Sequence, residues 1–158
     1  MYKRQEQPNK VGDRIARLIG AASKTVTVGD TLSIKVFQAL ASAINYQKNR
    51  KVLLTDASNF PSDIYAAQGL INMLKADHEL KIVNTDNLIE NINENVAAIF
   101  FTEVDYRTGR RYDAKKIIKT AKQNGALVIL DLAHSAGAID TNLTELDVDF
   151  AVGCTYKY

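Results

Sequence analysis

Residues 126–158 read ALVILDLAHSAGAIDTNLTELDVDFAVGCTYKY, and this stretch decides the fold. It holds two short apolar runs, Leu127-Val128-Ile129-Leu130 and Phe150-Ala151-Val152-Gly153, each passing straight into polar residues. Asp131 and His134 follow the first run; Thr155, Tyr156 and Lys157 follow the second. A short apolar run bounded by turn signals reads as a strand buried on both faces, as a parallel sheet flanked by helices requires. Ligands of such sheets bind beyond the carboxyl ends of the strands. A carboxylate, an imidazole, a phenol and an amine are therefore expected on one rim.

Composition sets the outer bounds. The 158 residues, 46% hydrophobic and 24% charged, suit about one soluble globular domain. Twenty basic and 18 acidic residues are spread along the chain for a net charge of +2, so no nucleic-acid or membrane-surface footprint stands out. Lys115-Lys116 reads as a solvated helix face. The single cysteine, Cys154, excludes an internal disulfide and any multi-cysteine metal motif, and fits a reducing cytoplasm. There is no signal peptide and no apolar stretch long enough to span a bilayer.

Working outward, the first residues, MYKRQEQPNK with Pro8, read as a polar lead-in over 1–9. Ile15, Leu18 and Ile19 stand at helical spacing from Val11, and Gly20 follows as a stop. TVTVG, residues 25–29, is β-branched and compact enough for a strand. Asp30-Thr31-Leu32-Ser33 then opens a helix over 34–44. Its first turn either binds a phosphate through free N–H groups and the helix dipole, or is simply capped by Asp30 or Thr31. KVLLT, 51–55, is the next strand, and Pro61 suits the first turn of a helix running to about Lys75. Phe60 just ahead of it is either a hydrophobic staple or a ring that stacks on a planar cofactor. A short strand over 79–83, a weak helix over 88–92, a strong strand VAAIFFT over 96–102 and a helix over 112–124 ended by Gly125 complete the α/β alternation. There is no internal repeat.

The rim residues accumulate into a chemistry. A phosphate site at Leu32-Ser33, an aromatic at Phe60, a buried carboxylate at Asp131 and a strand-end lysine, Lys157, are the parts needed to hold pyridoxal 5'-phosphate (PLP). The lysine joins the aldehyde as a Schiff base, for which its amine must be neutral. The carboxylate keeps the pyridine nitrogen protonated, so the ring can draw electrons from a carbanion beside the substrate nitrogen. No GxxxxGK[ST] or GxGxxG sequence is present, which lowers nucleotide and dinucleotide readings.

The motifs Asn59-Phe-Pro-Ser-Asp63, Tyr106-Arg-Thr-Gly109, Asp131-Leu-Ala-His-Ser-Ala-Gly137 and Val152-Gly-Cys-Thr-Tyr-Lys-Tyr158 carry a resemblance. From about Asn9 onward the chain resembles the kynureninases, a group within the aminotransferase class V family of PLP enzymes. The resemblance implies an α/β, aspartate-aminotransferase-like large domain, truncated, with residues 10–158 as its N-terminal part. It implies Lys157 as the lysine that carries PLP, Asp131 as the partner of the pyridine nitrogen and Phe60 as the residue stacked on the ring. Leu32 and Ser33 match the phosphate-binding turn. Pro61, Ser62, Asp63, Thr102, His134 and Tyr156 match further cofactor contacts, with Tyr156 placed for proton transfer. The implied reaction is hydrolysis of L-kynurenine or 3-hydroxykynurenine to anthranilate or 3-hydroxyanthranilate and L-alanine. That is a cytoplasmic step of tryptophan catabolism and NAD biosynthesis, catalysed by a homodimer.

Two alternatives stay open. Cysteine desulfurases and selenocysteine lyases of the same family place Gln where His134 stands and His where Tyr156 stands, so both positions favour kynureninase. The chain also stops directly after Lys157. It therefore reads as a fragment, with the substrate-carboxylate arginine, the rest of the large domain and the small domain beyond Tyr158, and it is expected to lack turnover alone. Cys154, inside the motif that leads to the lysine, reads as a small buried residue rather than a nucleophile.

Overall fold

The computed structural model describes residues 3–74 and 77–157. Its centre is a five-stranded sheet in the order β2-β1-β3-β4-β5, made of β1 (Val52–Asp56), β2 (Glu79–Val83), β3 (Val96–Thr102), β4 (Leu127–Asp131) and β5 (Phe150–Val152). Every pairing is parallel. The helices are α1 (Lys3–Leu18), α2 (Leu32–Tyr46), α3 (Pro61–Leu74), α4 (Ala114–Gln123) and the single turn α5 (Leu143–Leu146).

The apolar runs are continuous because the sheet is covered on both sides, and successive side chains feed opposite faces. Leu53, Ala98, Phe100 and Ile129 pack with Val36, Leu40, Ala43 and Leu70 of α2 and α3. Their neighbours Leu54, Ile99, Phe101, Val128 and Leu130 point the other way, onto Ile117, Ile118 and Ala121 of α4. All seven residues of β3 are buried, as the middle strand of such a sheet must be.

Strand order fixes where a ligand fits. From β1 the chain crosses through α3 to β2 on one side, and from β3 it crosses through α4 to β4 on the other. The direction of winding reverses between β1 and β3, and a crevice opens at the carboxyl ends of strands flanking such a reversal.

Several expectations change. Thr25 lies in a bend and residues 26–29 carry no regular structure; Val26 and Val28 are half-buried, Thr27 between them is exposed, and the stretch joins no ladder among the described residues. The β-branched alternation reports a half-buried surface, which does not require a pairing partner. Helix α1 begins at Lys3, inside the supposed polar lead-in, and takes in Pro8. Proline so near a helix start forfeits a single hydrogen bond to an exposed carbonyl, and the i,i+4 pair Lys10–Glu6 at 2.7 Å spans it. The weak helix over 88–92 resolves into two 3₁₀ turns, Thr85–Asn87 and Ile89–Asn91. α4 starts later than expected, because Asp113 caps it through Lys116 N at 3.0 Å and Tyr112 is used elsewhere. The expected end of α3 at Lys75 lies outside the described residues, as does Tyr158.

Candidate functional site

Asp131 ends β4, in register with Thr102 of β3 and Val152 of β5, and is 2% exposed. Its Oδ1 accepts a hydrogen bond from Ala133 N at 2.9 Å. Its Oδ2 is buried and finds no partner among the described residues. Burial, and next the charge of Asp63, push the carboxyl up to about 7, while the Ala133 amide and the Lys157 charge pull the other way. Asp63, in the first turn of α3, is likewise 2% exposed. Burial pushes it up to about 6, only partly offset by Ser62 Oγ at 3.3 Å. Two desolvated acids with one orphan oxygen make a site that a protonated nitrogen would satisfy.

After β4 the chain folds into a tight turn, with Ser135 N and Ala136 N both donating to Leu132 O, and this turn lifts His134 to the rim. The imidazole Nε2 meets the Lys157 amine, and Nδ1 is buried without a partner among the described residues. Burial and then the Lys157 charge hold His134 below its ordinary value. Both influences favour the neutral imidazole, whose Nε2 can accept from the amine in the tautomer that carries its proton on Nδ1.

The segment after β5 is tied down at Leu132 N, which donates to Val152 O at 2.8 Å, and then runs out over the cleft. Lys157 Nζ lies 6.0 Å from the Phe60 ring centroid and 5.9 Å from that of Tyr156. Tyr156 is 78% exposed, and its hydroxyl is shifted upward chiefly by a hydrogen bond with Cys154. Cys154 is half-buried, with Sγ 3.9 Å from Ala133 O.

Across the cleft stands the start of α2. Thr31 occupies the N-cap position but makes no side-chain capping bond. The first-turn N–H groups beside Leu32 and Ser33 thus keep their capacity to bind an anion.

These parts enclose an open cleft of about 1060 Å³. Leu32, Ser33, Phe60 and Ser62 line it, as do Asp131, His134, Tyr156 and Lys157. Three expected contacts stand off the cleft wall. Pro61 is exposed at the start of α3, Asp63 lies behind the wall, and the Thr102 hydroxyl is spent on Val104 O at 2.9 Å. Phe60 belongs to neither core cluster: its ring meets Tyr106 edge-on at 4.9 Å and His134 at 6.0 Å. Val26 and Val28 form an apolar wall that the strand assignment hid, and Tyr106 was visible only as part of a motif. No group of acidic, histidine or cysteine residues that could hold a metal occurs among the described residues. No helix there is long and apolar enough to cross a membrane.

A wholly parallel, doubly covered sheet with an aromatic, an acid and a lysine at the carboxyl ends of its strands defines an α/β protein with a cleft at that edge. The family Aminotransferase class-V matches residues 3–158, and the chain belongs to that family. It is 44% identical over 156 residues to a kynureninase of Burkholderia mallei (strain SAVP1), covering 96% of this chain and 38% of that protein. A kynureninase of Deinococcus radiodurans is 43% identical over 151 residues, covering 96% of this chain and 36% of its own length. The chain thus spans under two fifths of these relatives. Among solved structures, a NifS-like protein superposes with a TM-score of 0.80 at 15% identity, covering 94% of this chain and 43% of that one. The cysteine desulfurase CsdA from Escherichia coli gives 0.80 at 15%, covering 96% and 40%. At such identity the likeness is one of fold.

Proposed function

We propose that the chain forms the PLP-holding part of an enzyme that hydrolyses L-kynurenine or 3-hydroxykynurenine to anthranilate or 3-hydroxyanthranilate and L-alanine. The observation that carries the reading is the unanswered, buried Oδ2 of Asp131 facing a cleft whose mouth holds Lys157. The 44% identity to a kynureninase supports the choice of substrate.

The residues present fit the cofactor. Asp131 Oδ2 would hold a proton on the pyridine nitrogen, which answers the orphan oxygen and reverses the upward push on its carboxyl. Phe60 would offer its ring face, and the first turn of α2 with Ser33 would take the phosphate. Bound there, PLP supplies an aldehyde for covalent attachment and an electron sink for a carbanion. Lys157 Nζ is the base that takes the proton from the substrate α-carbon, and neutral His134 accepts a hydrogen bond from that amine. Tyr156 Oη, exposed at the mouth, exchanges protons with the departing fragments. Ser62 lines the cleft beside Phe60, Asp63 and Thr102 support the wall from behind, and Pro61 starts the helix that carries Asp63. The reading extends to a cytoplasmic homodimer in tryptophan catabolism.

The test is spectroscopic. PLP-loaded protein is mixed with L-kynurenine, and the bound cofactor's absorption and anthranilate fluorescence are followed, with L-cysteine as the comparison. A spectral change with kynurenine and not with cysteine is expected. A response to cysteine with sulfide release, and none to kynurenine, overturns the assignment.

A further inference from the structure

The strand-end loop after β3 carries an aromatic residue that touches two cleft residues without lining the cleft. Residues 103–112 form a hairpin closed by Asp105 N to Arg110 O and Tyr112 N to Glu103 O, both within 3.0 Å, and by an antiparallel bridge between Val104 and Arg111. The Asp105 carboxylate gathers the tip, accepting from Arg107 N at 2.8 Å and Thr108 N at 3.4 Å. The base is pinned to β1 by Tyr112 Oη on Asp56, and the tip by Arg107 on Ser58 Oγ at 2.8 Å. Tyr106 is thus presented by a fixed frame. Its ring meets Phe60 edge-on at 4.9 Å and lies nearly parallel to His134, 28° apart with centroids at 6.3 Å. The Arg107 guanidinium sits 5.6 Å from its centroid.

We propose that Tyr106 is a positioning residue that fixes the ring planes of Phe60 and His134, and through them the face offered to a flat ligand. The ligand part of this proposal rests on the PLP reading above. Phe60 and His134 come from the loops after β1 and β4, two separate strand ends, and nothing covalent ties one ring to the other. The hairpin from the intervening strand β3 supplies the common contact. The ring edge and face make it, so phenylalanine should substitute and leucine should not.

The experiment compares wild type, Tyr106→Leu and Tyr106→Phe. The chain has two histidines, so His78→Gln identifies the His134 imidazole resonances. Losing the stacked ring in Tyr106→Leu is expected to move those resonances toward their unstacked positions and to weaken PLP binding about three- to tenfold. Tyr106→Phe should change affinity less than about twofold. Unmoved His134 signals in Tyr106→Leu, or moved signals with unchanged PLP affinity, overturn the proposal. If wild type takes up no PLP, the cofactor reading fails, and the bracing of the two rings is decided by the His134 resonances alone.

Discussion

Lys157 and His134, 23 residues apart in sequence, meet amine to ring nitrogen at the cleft mouth. The contact holds the amine 6.0 Å from the Phe60 ring centroid, within reach of anything stacked there. Reduction of the PLP-treated protein with borohydride should therefore fix PLP on the peptide that contains Lys157. Lys157→Ala should leave no adduct, as read by mass spectrometry of the digest. An equal adduct in the variant would move the covalent role to another lysine.

Asp131 and Asp63 give the free protein a pH dependence of definite sign. Both folded values lie above the ordinary 3.8, at about 7 and about 6. At these two sites the folded state binds protons more readily than the unfolded chain, so their contribution to stability is fully present below about pH 4 and is lost as pH rises through 6 and 7. The Asp131 contribution amounts to a few kcal/mol at most, because each tenfold gain in proton affinity is worth about 1.4 kcal/mol. Thermal melts between pH 4 and 8 should show Tm falling across this window, and Asp131→Asn should flatten the fall. PLP, by supplying a proton donor to Oδ2, should flatten it in the wild type as well.

The sheet was legible where side chains alone determine structure. VAAIFFT and LVIL are apolar without alternation, which only a doubly covered strand tolerates, and the rim residues followed from their positions at the ends of such runs. What sequence hides is pairing and direction. TVTVG has the composition of a strand, but whether a ladder forms depends on what lies beside it. Thr102 and Asp131 both end strands and share a register, yet one hydroxyl is spent on Val104 O while one carboxylate oxygen is left unanswered. That difference is set by loop geometry. Tyr106 escaped a role for the same reason, since its contacts depend on how the hairpin tip folds over β1.

Tyr112→Phe tests the anchor of that hairpin. Asp56 is fully buried, and its Oδ2 accepts from Tyr112 Oη and Thr85 Oγ1, each at 2.6 Å. Its Oδ1 has no partner among the described residues. Removing one of the two donors leaves a buried carboxylate under-satisfied, at a cost of about 1.5–3 kcal/mol. Urea unfolding should show a lower midpoint with an unchanged slope. A change below about 0.5 kcal/mol would mean that the hydroxyl contributes little net stability.

Two helix glycines should respond to alanine with opposite sign. Gly69 in α3 has open space where a Cβ would go and a negative φ, so Gly69→Ala should stabilise by about 0.5–1 kcal/mol through helix propensity. Gly12 in α1 is also helical and would gain the same propensity, but its Cβ would lie 1.9 Å from Val26 O and 2.6 Å from Val26 C. Those are backbone atoms and cannot rotate away. The overlap must be relieved by moving that segment off α1, and overpacking of that kind costs about 1–3 kcal/mol or more. Gly12→Ala should therefore destabilise despite its helix preference, and amide exchange at Val26 and Val28 should quicken before the sheet's does. Because both valines line the cleft, the same variant should weaken PLP binding. Gly12→Ala as stable as Gly69→Ala would show that the segment over 25–29 is not held against α1 in solution.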